Sequence, residues 1–263
     1  MAELAGHAVM LTGGAGRLGR AIATELSDAG AAVGVVDTKG EAAAGLVEAL
    51  RSRGARASST TADVSRAAEI EAALDLLERD LGPIDLLVNA HGIFPNTPVV
   101  EMDESEWDSV FDVNTKGTML SCRALARRLV RRKAPGAIVN ISSAAATSAR
   151  AGGAHYTASK AAVNLLTHVL AIELGPHAIR VNAVAPGLVL DEVLRGDAGH
   201  SSEYVRLMLR GTPLGRTGAP EDIAPAVTFL LSARSGWTTG AILEVTGGSH
   251  CGRPHVPLSR DLR

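Results

Sequence analysis

The feature that most constrains the fold is a regular alternation of short apolar runs and longer segments of helical period. Residues 7–12 and 32–37 form continuous apolar runs, as do strands buried on both faces of a parallel sheet. Helical patterns follow them at about 17–29 and 41–53. Strands are further predicted at 55–61, 84–89, 137–141, 179–184 and 242–245, and helices at 67–81, 104–132, 155–174 and 221–231. Because repeated strand–helix units cross over right-handedly, they predict an α/β fold: a doubly wound parallel sheet of about seven strands with helices on both faces.

Length and composition limit the classes of function to consider. The 263 residues, 46% of them apolar, suit a single domain over 1–263, with an irregular substrate-side segment at 188–214 and a tail at 249–263. A net charge of −2, with acids and bases interspersed, argues against nucleic acid as a partner. No run approaches the roughly 18 apolar residues of a membrane span, so we expect no membrane partner. Two distant cysteines and no signal-like amino terminus indicate a cytoplasmic protein.

A glycine-rich turn follows the first predicted strand and opens the first helix. Gly13, Gly16 and Gly19 would let the backbone approach a pyrophosphate, and the helix N-terminus would offer free N–H groups. The alternative is an ordinary strand-to-helix turn, which also uses glycine. Asp37 ends the next strand 18 residues after Gly19, close to the spacing of about 20 in Rossmann-type dinucleotide sites. We therefore predict dinucleotide binding.

The acid at the end of the second strand also bears on the choice of cofactor. The Asp37 carboxylate can accept both hydroxyls of an adenosine ribose, and it would repel a 2′-phosphate. This favours NAD over NADP. Arg17 and Lys39 argue the other way, because either cation can bind a phosphate.

A serine, a tyrosine and a lysine form the strongest candidate for chemistry. Tyr156 and Lys160 are four residues apart on a predicted helix and share a face, and Ser143 lies just past a strand. A free tyrosine has a pKa of about 10, and a neighbouring ammonium favours the phenolate that a general base needs. The Ser143 hydroxyl would hold a substrate oxygen, and Asn114 would support a proton path. The alternatives are a turn serine, a buried aromatic, a solvated lysine and a structural amide.

Over about 8–248 the sequence resembles the classical short-chain dehydrogenases and reductases. Together the matching motifs are highly specific, although none is so alone. They are the glycine-rich turn, Asp63-Val64, Asn89-Ala90-His91-Gly92, Asn114, Ile141-Ser142-Ser143, Tyr156-Thr157-Ala158-Ser159-Lys160, Asn182-Ala183-Val184-Ala185-Pro186-Gly187 and Pro213-Leu214-Gly215-Arg216.

The resemblance implies a role for each matching residue. Tyr156 exchanges a proton with the substrate oxygen, which Ser143 orients and polarises. Lys160 binds the nicotinamide ribose and lowers the pKa of Tyr156, and Asn114 maintains a water-linked relay. Asp63 and Val64 contact the adenine. The implied cofactor contacts are Gly13, Gly16, Arg17, Leu18, Gly19, Asp37, Asp63, Val64, Asn89, Ala90, Gly92, Tyr156, Lys160, Pro186, Gly187 and Val189.

Four positions depart from the family pattern. Arg17 stands where the family has glycine, and the resulting glycine spacing is typical of extended relatives such as epimerases and dehydratases. His91 replaces a small residue; we interpret it as a packing variant, with substrate contact or titration as the alternative. Asp191 stands where many relatives carry a threonine that bonds the carboxamide of the nicotinamide. Thr246 replaces a common aspartate, with no functional implication.

The substrate pocket is the least determined part of the prediction. Its candidates are Phe94, Ala145, Thr147, Gly153, His155 and the segment 188–209 with Tyr204 and Met208. His250, Cys251 and His255 match no standard zinc spacing, so we expect no metal. The resemblance implies a homotetramer or homodimer built through the helices near 104–132 and 155–174.

The first functional hypothesis is an NAD(H)-dependent oxidoreductase that transfers hydride between nicotinamide and a secondary alcohol or ketone. The alternatives are an NADPH-dependent ketoreductase of a biosynthetic intermediate, a non-catalytic dinucleotide-sensing protein, and an epimerase or dehydratase. The intact set of Ser143, Tyr156 and Lys160 favours an enzyme, because a sensor would not need it.

Overall fold

The computed structural model describes residues 3–190 and 203–252. Its strands are β1 (Ala8–Thr12), β2 (Ala32–Asp37), β3 (Ala57–Thr61), β4 (Leu86–Asn89), β5 (Gly136–Ile141), β6 (Ile179–Pro186) and β7 (Ile242–Val245). Its α-helices are α1 (Arg17–Asp28), α2 (Gly40–Ser52), α3 (Ala67–Leu81), α4 (Glu104–Phe111), α5 (Gly117–Arg132), α6 (Ala154–Leu174), α7 (Glu203–Arg210) and α8 (Pro220–Leu231). The seven strands form one parallel sheet in the order β3-β2-β1-β4-β5-β6-β7, which confirms the predicted doubly wound fold.

The two faces of the sheet are covered by separate layers of apolar side chains. On β1, Val9 and Leu11 pack on the side of α1, α2 and α8, whereas Ala8 and Met10 pack on the side of α3 and α5. Every residue of β1 is buried, which explains why its sequence lacks the alternation of a half-exposed strand. Removal of this apolar surface from water is the main force that holds the helices on the sheet.

The order of the strands reverses beside β1. The chain moves from β1 outward to β3 and then returns to place β4 on the other side of β1. Connections leaving β1 and β4 therefore diverge, and a crevice opens at the carboxyl ends of these strands, where such sheets bind ligands. The glycine-rich turn and the segments after β4 and β5 all lie at this edge.

The predicted helix over 104–132 is not one continuous α-helix. A π-helical turn, Asp112–Lys116, separates α4 from α5. Such a turn holds one residue more than an α-turn, and it is stabilised here by contacts from outside the helix: the Asn114 side chain bonds both backbone groups of Ile93. One added residue rotates the apolar stripe of α5 by about 100° relative to that of α4, but each part keeps the helical period on which the prediction over 104–132 rests.

Other boundaries follow the prediction within a few residues. β6 extends two residues further, to Pro186, and α8 begins at Pro220, whose missing N–H suits the first position of a helix. The irregular segment 188–214 contains α7, which the sequence pattern did not predict. Within 3–190 and 203–252, none of the helices combines the length and the apolar character needed to cross a lipid bilayer.

Candidate active site

Two glycines give the turn after β1 its shape. Gly13 has a φ of +69°, and a Cβ added there would lie 2.6 Å from the backbone of His91. A Cβ on Gly19 would lie 2.2 Å from the carbonyl oxygen of Gly13. Gly16 is less restricted, since its added Cβ would lie 3.2 Å from that same oxygen. The turn thus requires glycine at its first and last positions for close backbone approach.

The N-terminus of α1 opens toward the crevice. The helix begins at the exposed Arg17, and its N-cap residue, Gly16, has no side chain that could bond the amides of the first turn. Uncapped amides and the helix dipole together favour an anion. The first turn of α1, with Arg17 and the half-buried Leu18, is therefore suited to hold a phosphate.

The Asp37 carboxylate links the end of β2 to this turn. One of its oxygens accepts a hydrogen bond from the Ala15 amide at 2.9 Å, and the other accepts one from the Lys39 amide at 3.0 Å. The sequence pattern did not predict these bonds. Each carboxylate oxygen can accept a further bond, so the half-exposed Asp37 remains able to receive two ribose hydroxyls.

The segment after β3 contributes a second acid to the edge of the crevice. The Asp63 carboxylate accepts hydrogen bonds from the backbone and the hydroxyl of Ser65. Burial raises the pKa of Asp63, but these bonds and the charge of Arg66 outweigh it, so the pKa lies below its ordinary value. The neighbouring Val64 is buried against Gly117, where an added Cβ would lie 2.7 Å from its side chain.

A row of buried polar side chains crosses the sheet below the crevice. The Asn89 amide donates to the Asn140 side chain at 2.9 Å, and the Asn140 amide donates to the Thr167 hydroxyl at 3.0 Å. Asn89 also accepts from Thr12 and lies 3.2 Å from the sulfur of Cys122. Burial raises the pKa of the Cys122 thiol to about 12. Asn89 therefore holds β1, β4 and β5 in register below the crevice. A buried polar group can stabilise a structure in this way when its hydrogen bonds are satisfied.

His91 connects the glycine-rich strand end to the π-helical turn. Its Nδ1 lies 2.7 Å from the Thr12 hydroxyl, and the ring also bonds the backbone of Val113. Burial and the charge of Lys160 lower its pKa to about 3. His91 is thus a neutral, buried packing residue, as the first of the two sequence interpretations had it, and not an exposed titrating group.

Ser143, Tyr156 and Lys160 meet at the carboxyl end of β5. The Ser143 hydroxyl lies close enough to the Tyr156 phenol to lower its pKa, and the Lys160 Nζ lies 5.9 Å from the centroid of the Tyr156 ring. The same Nζ donates to the carbonyl of Ile141 at 2.8 Å. Because Lys160 is almost fully buried, this position keeps an ammonium close to the phenol and away from solvent.

Asn114 reaches the same place from the π-helical turn. Its amide bonds the Ser159 hydroxyl at 3.0 Å, next to Lys160. A Cβ added to Gly92 would lie 3.3 Å from the Asn114 Oδ1 and 3.5 Å from the Lys160 Nζ. Because even a methyl group at Gly92 would crowd the Asn114 and Lys160 side chains, the position favours the smallest residue beside these two polar groups.

Burial acts on both titrating groups of the set. It raises the pKa of Tyr156, while the bond to Ser143 and the charge of Arg150 oppose this rise. It lowers the pKa of Lys160 to about 8. In the chain alone the phenol is therefore protonated at neutral pH and poised to give a proton, and its action as a base needs further positive charge close by.

One carboxylate–histidine pair was not predicted. His155 was a candidate for the substrate pocket, but it is fully buried, and its Nε2 lies 2.8 Å from the Glu106 carboxylate. Its Nδ1 accepts from the amide of Tyr156. The pair joins α4 to the first turn of α6, so it positions the backbone of the tyrosine. No local pattern signals a contact over 49 residues.

The end of β6 closes the crevice on the side opposite β2. A Cβ on Gly187 would lie 2.9 Å from the backbone of Thr246, and Val189 pairs with Gly218. The buried Pro186 precedes them. Asp191 and His255 lie outside the described residues. Within the described ranges no cluster of three metal-ligating side chains occurs.

Comparisons with known proteins agree with this geometry. A family model described as enoyl-(acyl carrier protein) reductase, of the short-chain alcohol dehydrogenase type, matches residues 14–250. The chain belongs to the short-chain dehydrogenase/reductase family. The short-chain reductase protein NovJ of Streptomyces niveus is 39% identical to it over 92% of this chain and 94% of NovJ. The 5-keto-D-gluconate 5-reductase of Escherichia coli K12 is 36% identical over 94% and 96%.

A solved structure of a short-chain dehydrogenase shares the whole architecture. It is the gluconate 5-dehydrogenase of Burkholderia cenocepacia in complex with NADP and tartrate, with a TM-score of 0.88 and 32% identity over 95% of this chain and 97% of that one. As in the family, the residues at the strand ends here fit a nicotinamide dinucleotide: an uncapped helix N-terminus, an acid at the end of β2, and Gly92, which has no side chain, beside Asn114 and Lys160. The departure at Arg17 leaves this fit intact, because the side chain is exposed.

A short-chain dehydrogenase with so buried a lysine should become more stable when the charge is removed. A fall in the Lys160 pKa from 10.5 to about 8 corresponds to about 3 kcal/mol of destabilisation at neutral pH, and loss of the Ile141 bond offsets about 1 kcal/mol. We expect Lys160→Met to raise the Tm by about 3–6 °C in thermal scans at pH 7. The exposed Arg79→Met is the matched control and should leave the Tm unchanged.

The stabilisation by Lys160→Met should depend on pH, which can be checked. Between pH 8 and 10.5 the unfolded lysine holds its proton and the folded one loses it, so the free energy of unfolding of the parent rises with pH in this window. The advantage of Lys160→Met should therefore shrink from pH 8 upward. A lower Tm for the variant at pH 7 would contradict the prediction.

Proposed function

We propose that this chain is an NAD(H)-dependent oxidoreductase that interconverts a secondary alcohol and a ketone, with Tyr156 as its acid/base. The observation that carries the proposal is the convergence of Tyr156 and Ser143 with the buried Lys160 and Asn114 at the carboxyl end of β5. We infer that residues 1–263 form one Rossmann-type domain. A dinucleotide, when bound, supplies the centre that accepts or donates the hydride.

The residues of the chain would divide the work as follows. In reduction the Tyr156 phenol donates its proton to the carbonyl oxygen, and in oxidation the phenolate removes the proton of the carbinol hydroxyl. The Ser143 hydroxyl holds that oxygen beside the phenol. The Lys160 ammonium favours the phenolate, and Asn114 keeps a polar path open beside it.

The proposed cofactor contacts are those that the sequence indicates. Amides of the turn after β1 would hold the pyrophosphate, Asp37 the adenosine ribose, and Asp63 and Val64 the adenine. The set is Gly13, Gly16, Arg17, Leu18, Gly19, Asp37, Asp63, Val64, Asn89, Ala90, Gly92, Tyr156, Lys160, Pro186, Gly187 and Val189.

The choice of NAD over NADP rests on the charge of Asp37. The half-exposed carboxylate faces the turn where the ribose would lie, and a 2′-phosphate there would meet like charge. Asp37→Asn keeps an acceptor for the Ala15 amide and removes the charge. We expect it to raise kcat/KM with NADPH relative to NADH by about 10- to 100-fold, equivalent to about 1.4–2.7 kcal/mol.

The measurement is kcat/KM with each cofactor for the parent and for Asp37→Asn, with Lys39→Gln as a second variant. If the parent already prefers NADPH, the NAD assignment fails, and Lys39 becomes the first candidate for the phosphate contact. The gluconate 5-dehydrogenase structure, which holds NADP, makes this comparison necessary.

Relatives support an alcohol or ketone as the substrate. Their names describe a 5-keto-D-gluconate 5-reductase, a D-threitol dehydrogenase and an L-xylulose reductase, 35–36% identical to this chain. The test is the absorbance of reduced nicotinamide with a panel of secondary alcohols and ketones and both cofactors. Turnover supports the oxidoreductase; tight NADH binding without turnover on any substrate would favour a dinucleotide sensor.

We also propose a cytoplasmic homo-oligomer, a dimer or tetramer built through α5 and α6. Leu165, Val169 and Ile172 share one face of α6 and are 65%, 43% and 76% exposed. A contiguous apolar helix face of this kind is typical of a subunit interface. Light scattering decides the point, because a monomeric mass would reject it. The free thiols of Cys122 and Cys251 suit a reducing compartment.

A further inference from the structure

The loop between β5 and α6 carries a cation to the entrance of the site. Arg150 lies seven residues after Ser143 and six before Tyr156. Its guanidinium donates a hydrogen bond to the Tyr204 hydroxyl, and its Cζ lies 5.7 Å from the centroid of that ring. Tyr204 belongs to α7. The pair therefore connects the loop that carries the catalytic serine to the helix of the substrate-side segment.

The backbone that carries Arg150 is held on both sides. The Gly153 amide donates to the Arg150 carbonyl at 3.2 Å, and the Thr97 amide donates to the Gly152 carbonyl at 2.9 Å. Gly152 has a φ of +75°, and a Cβ there would lie 2.6 Å from the Asn96 side chain. A fixed base with a long side chain allows the guanidinium to reach a ligand without rearrangement of the loop.

The charge of Arg150 is not neutralised by the described part of the protein. Among residues 3–190 and 203–252, no carboxylate forms an ion pair with it. Arg150 is exposed and Tyr204 is 45% exposed, so a ligand can reach both. Nearby, Phe94 packs edge-on against Tyr156 and supplies an apolar wall. The entrance thus offers one cation, one hydroxyl and an apolar surface.

We propose that Arg150 and Tyr204 form a carboxylate-binding subsite, so that the preferred substrates are hydroxy acids and the matching keto acids. The planar guanidinium can donate two parallel bonds to a carboxylate, and the Tyr204 hydroxyl, which accepts from Arg150, has its own proton left to donate. The inference rests on the proposed function, because the subsite selects the molecule whose oxygen Tyr156 protonates.

The charge of Arg150 also reaches the catalytic phenol, where it lowers the pKa of Tyr156. A test by activity alone would mix this effect with substrate binding. Binding of a ketone to the NAD-loaded enzyme separates them, since the oxidised cofactor has no hydride to give and no proton is transferred. Levulinate and methyl levulinate are suitable probes, because they share a ketone and a carbon chain and differ in the charge of the carboxyl group.

The experiment measures the Kd of both probes for the NAD-loaded enzyme by isothermal titration calorimetry. The variants are Arg150→Met, which keeps the apolar stem, Tyr204→Phe, and the remote control Arg79→Met. We expect the parent and Arg79→Met to bind levulinate about 10- to 100-fold more tightly than its ester. Arg150→Met should abolish this preference, and Tyr204→Phe should reduce it several-fold.

Every other result rejects the subsite. Equal affinity for the two probes in the parent, or a preference for levulinate that survives Arg150→Met, would show that the Arg150 guanidinium does not bind the carboxylate. Turnover of neutral ketones without any preference for acids would remove the subsite and leave the oxidoreductase intact. Failure of the parent to bind either dinucleotide would reject the proposed function and the subsite together.

Discussion

Tyr156→Phe should lower kcat by about 10³-fold or more while leaving the affinity for NADH within about twofold of the parent. The ring keeps its edge-on contact with Phe94, and within the described residues the lost hydroxyl interacts with Ser143. Phenylalanine has no proton to exchange with the substrate oxygen, so the chemical step fails although the site remains assembled.

Two measurements make this expectation decisive. Initial rates at saturating substrate give kcat, and fluorescence titration of NADH gives the affinity for the cofactor. The parent can also be assayed across pH: because burial raises the pKa of Tyr156, oxidation of alcohols should become faster as pH rises toward that pKa, whereas reduction of ketones should not. Activity of the variant above one tenth of the parent would assign the proton transfer to another group.

Gly19→Ala should weaken dinucleotide binding by 100-fold or more. The new methyl would lie 2.2 Å from the Gly13 carbonyl oxygen; a Cβ is fixed by its own backbone and the oxygen belongs to the backbone, so neither can rotate away. Separation of α1 from the turn would move the helix N-terminus from the place where a pyrophosphate has to lie.

Gly45→Ala is the matched control. Gly45 is exposed in the middle of α2, and nothing lies within 4 Å of the added Cβ. We expect this variant to bind NADH normally and to gain about 0.5–1 kcal/mol of stability, because alanine favours the helix. Circular dichroism establishes that Gly19→Ala is folded. A folded Gly19→Ala with parental NADH affinity would show that the close approach of α1 to the turn is not required.

The sequence predicted the sheet well because its signals are local. β1 and β2 are continuous apolar runs, and the turn between β1 and α1 needs glycine at Gly13 and Gly19 for reasons visible in a few residues. Spacing likewise predicted that Ser143, Tyr156 and Lys160 meet, since two lie one helical turn apart and the third lies just past the end of β5.

The features that escaped prediction depend on contacts between distant segments. The π-helical turn at Asp112–Lys116 is held by Ile93, and the pair of Glu106 and His155 spans 49 residues. The bond from Ala15 to Asp37 and the contact between Arg150 and Tyr204 are of the same kind. The type of one residue does not predict such a contact, because the partner comes from a distant segment.

The two cysteines of the chain allow the rate of local opening at the sheet to be measured by thiol labelling. Cys251 is exposed, so a thiol reagent should label it in the folded protein. Cys122 lies on α5, buried against Asn89 of β4 with a pKa of about 12, and it can react only when α5 separates from the sheet. The labelling rate of Cys122, compared with that of Cys251, therefore reports how often the structure beneath the crevice opens. No added probe is needed, because both thiols belong to the natural sequence.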